Sequence, residues 1–143
     1  MASRLDRWRE LDGRERRRLL GCLATLPLIH AGLAVFGYKR MRSAVERWSR
    51  HPAPRPATPE EIMDAQAMAR LSARAGRRGM VEATCLRRSL LLYGWRRRRG
   101  LQPVLQLGIP ECPTPGAPFE AHAWVELEGT ALLEADHGYR PFT

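Results

Sequence analysis

The feature that most constrains the fold is a strictly alternating segment that ends in a turn. Residues 119–127 alternate along the chain, and Glu128 and Gly129 follow directly. A period of two is typical of a strand with one buried face, and a short glycine-containing sequence after it favours a hairpin. The two predicted faces are Ala121, Ala123, Val125 and Leu127 on one side and His122, Trp124 and Glu126 on the other.

A second segment, which begins at Cys85, is typical of a buried helix. Leucines recur along residues 86–92, and Thr84 is a reasonable N-cap. The first turn of a helix has unpaired N–H groups and the positive end of the helix dipole, which favour the thiolate form of a cysteine. We therefore predict that Cys85 is a nucleophile and that its backbone N–H can face a developing oxyanion.

The strand supplies the second half of such a pair, because His122 can act as the general base for Cys85. A two-residue turn would pair His122 with Ala135 in the return strand, whereas a three-residue turn would pair it with Asp136. Glu134 or Asp136 is the candidate third member, which would orient the imidazole and stabilise its cation. We favour Asp136.

Three segments together resemble a known family. They are CLRRSLLL at 85–92, RRRGLQPVLQLGI at 97–109 and FEAHAWVELEG at 119–129. They resemble the transglutaminase-like peptidase of lasso-peptide biosynthesis, which is the leader-cleaving half of the B protein. The resemblance extends from Thr58 to residue 143 and, more loosely, over residues 11–20.

The resemblance implies a papain-type cysteine protease with a Cys-His-Asp triad, carried here by Cys85, His122 and either Asp136 or Glu134. The family's acid falls near Glu134, where this chain has Glu-Ala-Asp. The implied reaction is removal of the leader from a ribosomally made precursor peptide. The implied partners are the precursor leader, a separate small leader-recognition protein and the lasso cyclase that acts on the released core.

Two other functions fit the same residues. A transglutaminase-like acyl transferase would form the same thioester and pass it to an amine. A non-enzymatic module could bind nucleic acid or membrane, because the net charge is +9 and arginine supplies almost all of it. Arginine is spread over the whole chain, and no zinc-finger, RNP-like or basic-zipper pattern is present. We therefore expect no nucleic-acid partner.

Cysteine usage bears on compartment and cofactors. The three cysteines, Cys22, Cys85 and Cys112, cannot form a closed disulfide framework, which favours a reducing compartment and hence the cytoplasm. No paired Cys or His spacing predicts a metal site, and no glycine-rich loop predicts a nucleotide. We expect no metal and no cofactor.

The chain divides into three predicted segments: a helical prefix at 1–48, a proline-rich linker at 49–57 and a catalytic domain at 58–143. In the last segment Thr58-Pro-Glu-Glu predicts a capped helix, and Val104–Ile109 predicts a strand. A helix, a strand and a hairpin in this order predict an α+β fold, a minimal papain-like or transglutaminase-like core behind the helical prefix.

The prefix contains an apolar run from Leu19 to Phe36, followed by a basic amphipathic stretch from Tyr38 to Trp48. We expect two helices or one helix kinked at Pro27. The run is at the lower length limit for a membrane span and has basic flanks. Because it contains His30 and a proline, we favour docking on the catalytic domain or a partner over membrane contact by residues 19–36.

Overall fold

The structure, a computed structural model, describes residues 8–78, 85–112, 114–116, 121–132 and 138–141. Its elements are α1 (Gly13–Trp48), α2 (Pro59–Arg78), α3 (Cys85–Arg98), β1 (Val104–Pro110), β2 (His122–Leu127), β3 (Thr130–Ala131) and β4 (Tyr139–Pro141). The strands form an antiparallel sheet in the order β3-β2-β1-β4. The helices precede the sheet along the chain, and the predicted α+β class is confirmed.

Helix α1 is a helical hairpin. It begins with a capping box in which the Glu15 backbone N–H donates to the Asp12 carboxylate at 2.7 Å and the Asp12 N–H donates to Glu15 at 3.1 Å. Gly37 leaves the helical region, with φ 76° and ψ 172°. Met41 packs directly on Gly32, although a continuous helix would separate these residues by about 14 Å. The chain therefore reverses its direction at Gly37.

The break lies at Gly37 and not at Pro27. Of the two arrangements predicted from the sequence, two helices is therefore the one found, and one helix kinked at Pro27 is not. Pro27 lies inside the first arm, between the buried residues Leu26 and Ile29. A proline costs a helix one hydrogen bond, and packing of its neighbours can hold the helix together. A positive φ takes the residue out of the right-handed helical conformation, and glycine adopts it without a steric cost.

Helix α1 is long and apolar enough to cross a membrane, and 22 % of its most apolar window is buried. The buried residues follow a helical period, with Leu19, Cys22 and Leu26 turned towards the core. Leu20 and Leu28 lie on the exposed side. Core helices of soluble proteins meet the same test of length and composition, so the helix alone assigns no membrane.

Helix α2 begins as the sequence predicts. The Glu61 backbone N–H donates to the Thr58 hydroxyl at 3.3 Å, and the Thr58 N–H donates to the Glu61 carboxylate at 3.0 Å. Its buried residues recur at spacings of three and four, which is the pattern of one helix face. They are Ala65, Met68, Ala69, Leu71, Ser72 and Ala75.

Helix α3 lies at the centre of the hydrophobic core. Leu90, Leu91 and Leu92 are all almost fully buried, because α1 and α2 contact this helix on one side and the sheet contacts it on the other. Close approach to α1 depends on Gly94, where an added Cβ would lie 2.8 Å from a methyl group of Val45. The helix that begins at Cys85 is therefore held on several sides.

The sheet contains the predicted hairpin. Leu127 pairs with Thr130, and the two residues between them, Glu128 and Gly129, have φ values of 50° and 75°. Positive φ at both central positions is the geometry of a type I′ two-residue turn, whose twist matches that of the flanking strands. Strand β1, predicted at Val104–Ile109, runs one residue further, to Pro110.

Candidate active site

Cys85 is the first residue of α3, and its side chain is half-buried. Its position at the start of a 14-residue helix places the thiol near backbone N–H groups that have no partner within that helix, and near the positive end of the helix dipole. The proposed N-cap, Thr84, lies outside the described residues. The predicted helix start at Cys85 is therefore found, and the role of Cys85 as nucleophile and the Thr84 cap stay predictions.

A buried hydrogen bond joins this helix to the strand that carries the histidine. One helical turn after Cys85, the fully buried hydroxyl of Ser89 donates to the carbonyl oxygen of Ala123 at 3.0 Å. Ala123 is the neighbour of His122 in β2. The bond fixes the first turns of α3 against the start of β2, which are the two places where the sequence puts the nucleophile and the base.

His122 is the first residue of β2 and lies in an aromatic cluster. Its ring stacks on Trp124, with centroids 5.8 Å apart and planes 19° apart, and it meets Tyr139 of β4 with centroids 5.1 Å apart. The Trp124 indole N–H donates to the Glu126 carboxylate at 2.9 Å. These contacts limit how far the imidazole can rotate, as a positioned general base requires.

Sequence reasoning missed Tyr139 and Gly108. Gly108 pairs with His122 in the sheet, and an added Cβ there would lie 2.8 Å from the Trp124 ring and 2.7 Å from the carbonyl oxygen of Arg140. Gly108 thus leaves room for the indole against β1. A glycine inside the predicted β1 strand was a visible signal of close approach, whereas the pairing of β4 with β1 left no short-range signal for Tyr139.

The two faces of β2 limit the routes by which the Cys85 thiol and the His122 imidazole can approach each other. Val125 and Leu127 share the buried core with the leucines of α3, whereas His122 lies on the other face with Trp124. A meeting across the helix–sheet interface is therefore blocked by the core. Cys85 and His122 are each the first residue of their element, so the approach that the predicted pair needs would have to go around the end of the sheet.

The third member of the predicted triad lies beyond the described part of the chain, because residues 133–137 include both Glu134 and Asp136. The hairpin has the two-residue turn, which is the first of the two registers considered from the sequence. The choice of Asp136 over Glu134 stays a prediction.

The other two thiols differ from Cys85 in their surroundings. Cys22 is fully buried in α1, and burial raises the pKa of its thiol to about 12 despite the nearby charges of Arg18 and Arg96. Cys112 is exposed, in the segment after β1. All three cysteines are free. Cys22 is thus an inert core residue, and Cys85 alone of the three begins a helix.

Within the described ranges, no group of three or more His, Cys, Asp or Glu side chains could hold a metal ion. The described residues include a thiol at a helix start, an imidazole in contact with two aromatic rings, and the backbone N–H groups of that helix start. Groups of these types are the ones that nucleophilic attack on an acyl carbon needs: a thiol, a base for its proton and donors for an oxyanion.

Comparison with known proteins gives one family. The family model described as the transglutaminase-like superfamily matches residues 29–143, which is well over half of the chain. The match includes the second arm of α1, all of α2 and α3, and the sheet. No curated protein and no solved structure matches the chain.

Proposed function

The chain belongs to the transglutaminase-like superfamily, and from that premise we propose that it is a cysteine endopeptidase that removes the leader from a ribosomally made precursor peptide during lasso-peptide maturation. The superfamily is compatible with a cysteine protease or an acyltransferase. The observation that carries the proposal is the Ser89–Ala123 hydrogen bond, which holds the helix that begins with Cys85 against the strand that begins with His122.

In the proposed reaction, the Cys85 thiolate attacks the scissile carbonyl carbon. The tetrahedral oxyanion accepts hydrogen bonds from backbone N–H groups at the start of α3. His122 takes the thiol proton and returns it to the leaving amine as the C–N bond breaks. Water, deprotonated by His122, then attacks the thioester, so that the leader leaves with a free carboxylate and the thiol is restored.

The lasso-peptide assignment depends on the resemblance of segments 85–92, 97–109 and 119–129. A separate leader-recognition protein that presents the precursor, and a cyclase that takes the released core, belong to the same proposal. A cytoplasmic location fits the three free thiols. Acyl transfer to an amine is the rival reaction, since it shares the first half of the mechanism.

A cleavage assay tests the proposal. The chain is mixed with a candidate precursor and its recognition protein, with and without added methylamine. Product masses are then measured by mass spectrometry. Hydrolysis gives a leader with a free carboxylate, and acyl transfer gives a methylamide. Cys85→Ala and His122→Ala are expected to abolish both products, and Cys112→Ala is the matched control. Unchanged cleavage by Cys85→Ala would disprove the assignment of the nucleophile.

A further inference from the structure

A large groove lies between the two arms of α1 and helix α3, with a volume of about 950 Å³. Its middle is apolar and includes Leu28, Ile29, Met41, Val45 and Leu90. Leu28 is 70 % exposed. We call this surface the interhelical groove. The exposed leucine indicates a surface that a second apolar face can cover.

One end of the interhelical groove is strongly basic. The arginines that line it are Arg14, Arg17, Arg18, Arg96, Arg98 and Arg99. The first three lie at the start of the first α1 arm, and the last three lie at or just after the end of α3. Guanidinium groups therefore line the groove on two sides.

Four of these arginines converge on one carboxylate, that of Asp64. Arg18 donates to it at 2.6 and 2.8 Å and Arg96 at 3.2 Å, while Arg14 and Arg99 lie 3.8 and 3.6 Å away. A single negative charge cannot balance four positive ones. Arg96 is only 3 % exposed, and within the described residues its Nε has no hydrogen-bond partner. The cluster therefore has excess positive charge, and its exposed members Arg14 and Arg99 can bind further carboxylates.

We infer that the interhelical groove binds an amphipathic helix of a partner protein or peptide, with apolar residues on one face and several carboxylates near one end. Helix-in-groove recognition uses this combination of an apolar groove and charge complementarity. The two arms of α1 and helix α3 line the groove, so a bound helix would pack against all three, as helices do in a bundle.

Other occupants fit the groove less well. A fatty acid has one carboxylate, which leaves most of the six arginines that line the groove without a counter-charge. A bilayer surface does not enter a concave groove. Nucleic acid would match the arginines but not the apolar side chains of Leu28, Met41 and Val45.

The basic end of the groove lies apart from the candidate nucleophile. Cys85 is at the start of α3 and Arg96 is near its end, which corresponds to about 16 Å along the helix axis. The carboxylates of a helix bound in the groove are thus anchored away from the reacting carbonyl. The inference goes beyond the proposed cleavage, because binding can be measured on a Cys85→Ala chain that does not cleave.

The probe is a synthetic, fluorescein-labelled helical peptide of 18 residues with leucines on one face and four glutamates near one end. Its control peptide has glutamine in place of each glutamate. Fluorescence anisotropy with the full chain is expected to show binding of the acidic peptide at least tenfold tighter than the control, with an affinity that falls as salt is added. Equal binding of both peptides would overturn the inference.

Variants locate the binding surface. We expect the Leu28→Asp variant to bind the acidic peptide at least tenfold more weakly than the wild type. The same loss is expected for the double variant Arg14→Glu, Arg17→Glu. These side chains are exposed, and Arg14 makes only a 3.8 Å contact with Asp64; circular dichroism of each variant checks that the helices are retained. Met63→Asp and Arg70→Glu change equally exposed residues outside the groove. Their affinities for the acidic peptide should stay within twofold of the wild-type affinity.

A charge swap gives the decisive comparison. A peptide with lysines in place of the glutamates should bind the Arg14→Glu, Arg17→Glu chain better than it binds the wild type. Wild-type affinity in the Leu28→Asp chain would contradict the inference. The inference would also be contradicted if the wild type did not bind the acidic peptide but bound vesicles of phosphatidylcholine with 30 % phosphatidylglycerol. That outcome would assign the surface to anionic lipid.

Discussion

The hydroxyl of Ser89 donates a 3.0 Å hydrogen bond to the backbone carbonyl of Ala123, and both groups belong to buried residues. Ser89 lies one turn after Cys85, and Ala123 follows His122 directly. The bond thus joins the helix of the candidate nucleophile to the strand of the candidate base. It also makes Ser89 a positioning residue rather than a catalytic one.

Replacing this hydroxyl tests that role. Ser89→Ala is expected to lower the free energy of unfolding by about 1 kcal/mol, the usual effect of one neutral hydrogen bond. It should also lower kcat for leader removal more than it raises KM, because Cys85 and His122 lose alignment.

Ser72→Ala is the matched control for this prediction. Ser72 is equally buried, but its hydroxyl donates to Ala69 of its own helix, far in sequence from either candidate. It should change stability without a selective effect on kcat. An equal fall of kcat in both variants would reduce Ser89 to a general structural residue.

The three thiols are expected to differ in their reaction with iodoacetamide. Cys85 should react fastest, Cys112 more slowly, and Cys22 hardly at all in the folded chain, because Cys22 is fully buried and its pKa is raised to about 12. Mass spectrometry of each cysteine peptide over time at pH 8 gives the rates.

His122→Ala provides the internal control for the thiol experiment. It should slow alkylation of Cys85 and leave the rate of Cys112 unchanged, because only the former would lose a neighbouring base. If Cys112 reacts faster than Cys85 in the wild type, the helix start does not activate the thiol.

Among the ion-pair partners in the helical region, Asp64 is expected to contribute most to the free energy of unfolding. Asp64→Asn leaves Arg96, which is 3 % exposed, without its counter-charge. Breaking such a pair from one side costs about 3 kcal/mol in the free energy of unfolding. Denaturant titration of both proteins at neutral pH measures the difference.

The effect should depend on pH in a defined direction. Burial raises the pKa of Asp64, but hydrogen bonds and charges from Arg18 and Arg96 outweigh burial and lower it overall. The ionised group therefore stabilises the fold above its ordinary pKa, and this stabilisation is lost as the pH falls through the lowered pKa. Wild type and Asp64→Asn should converge in strong acid, and a gap that widens there would contradict this explanation.

The reversal of α1 should depend on glycine at position 37. Gly37→Ala places a Cβ on a backbone with φ 76° and ψ 172°, and such strain costs about 1–3 kcal/mol. Gly13→Ala is the control, because Gly13 has no positive φ and no atom within 4 Å of an added Cβ. Thermal unfolding should show a lower midpoint for the first variant only. Equal midpoints would mean that the turn tolerates a side chain.

The identity of the acid is tested by two isosteric changes. Asp136→Asn is expected to lower kcat by several orders of magnitude and to do so more than Glu134→Gln, since an orienting carboxylate holds the imidazole tautomer. The residue type of the resembled triad favours Asp136, and its position favours Glu134. The opposite ranking would assign the role to Glu134, and two mild effects would indicate a Cys-His dyad.

Local patterns in the sequence determined much of the fold and of the candidate site. Alternation around His122 determined β2, and the leucines after Cys85 determined α3. The Thr58 capping box determined the start of α2. These signals work because hydrogen bonds and buried faces repeat within a few residues of one another. The two residues predicted as nucleophile and base are both found at the start of their elements.

Tertiary structure alone decided how these elements meet. The Ser89–Ala123 bond, the tilted ring contact of Tyr139 with His122 and the convergence of four arginines on Asp64 join residues distant in sequence. No local pattern encodes such contacts, because they depend on how helices and strands pack. Gly37 illustrates the same division: the sequence shows a glycine between two helical stretches, but only the packing of Met41 on Gly32 reveals that the chain turns back there.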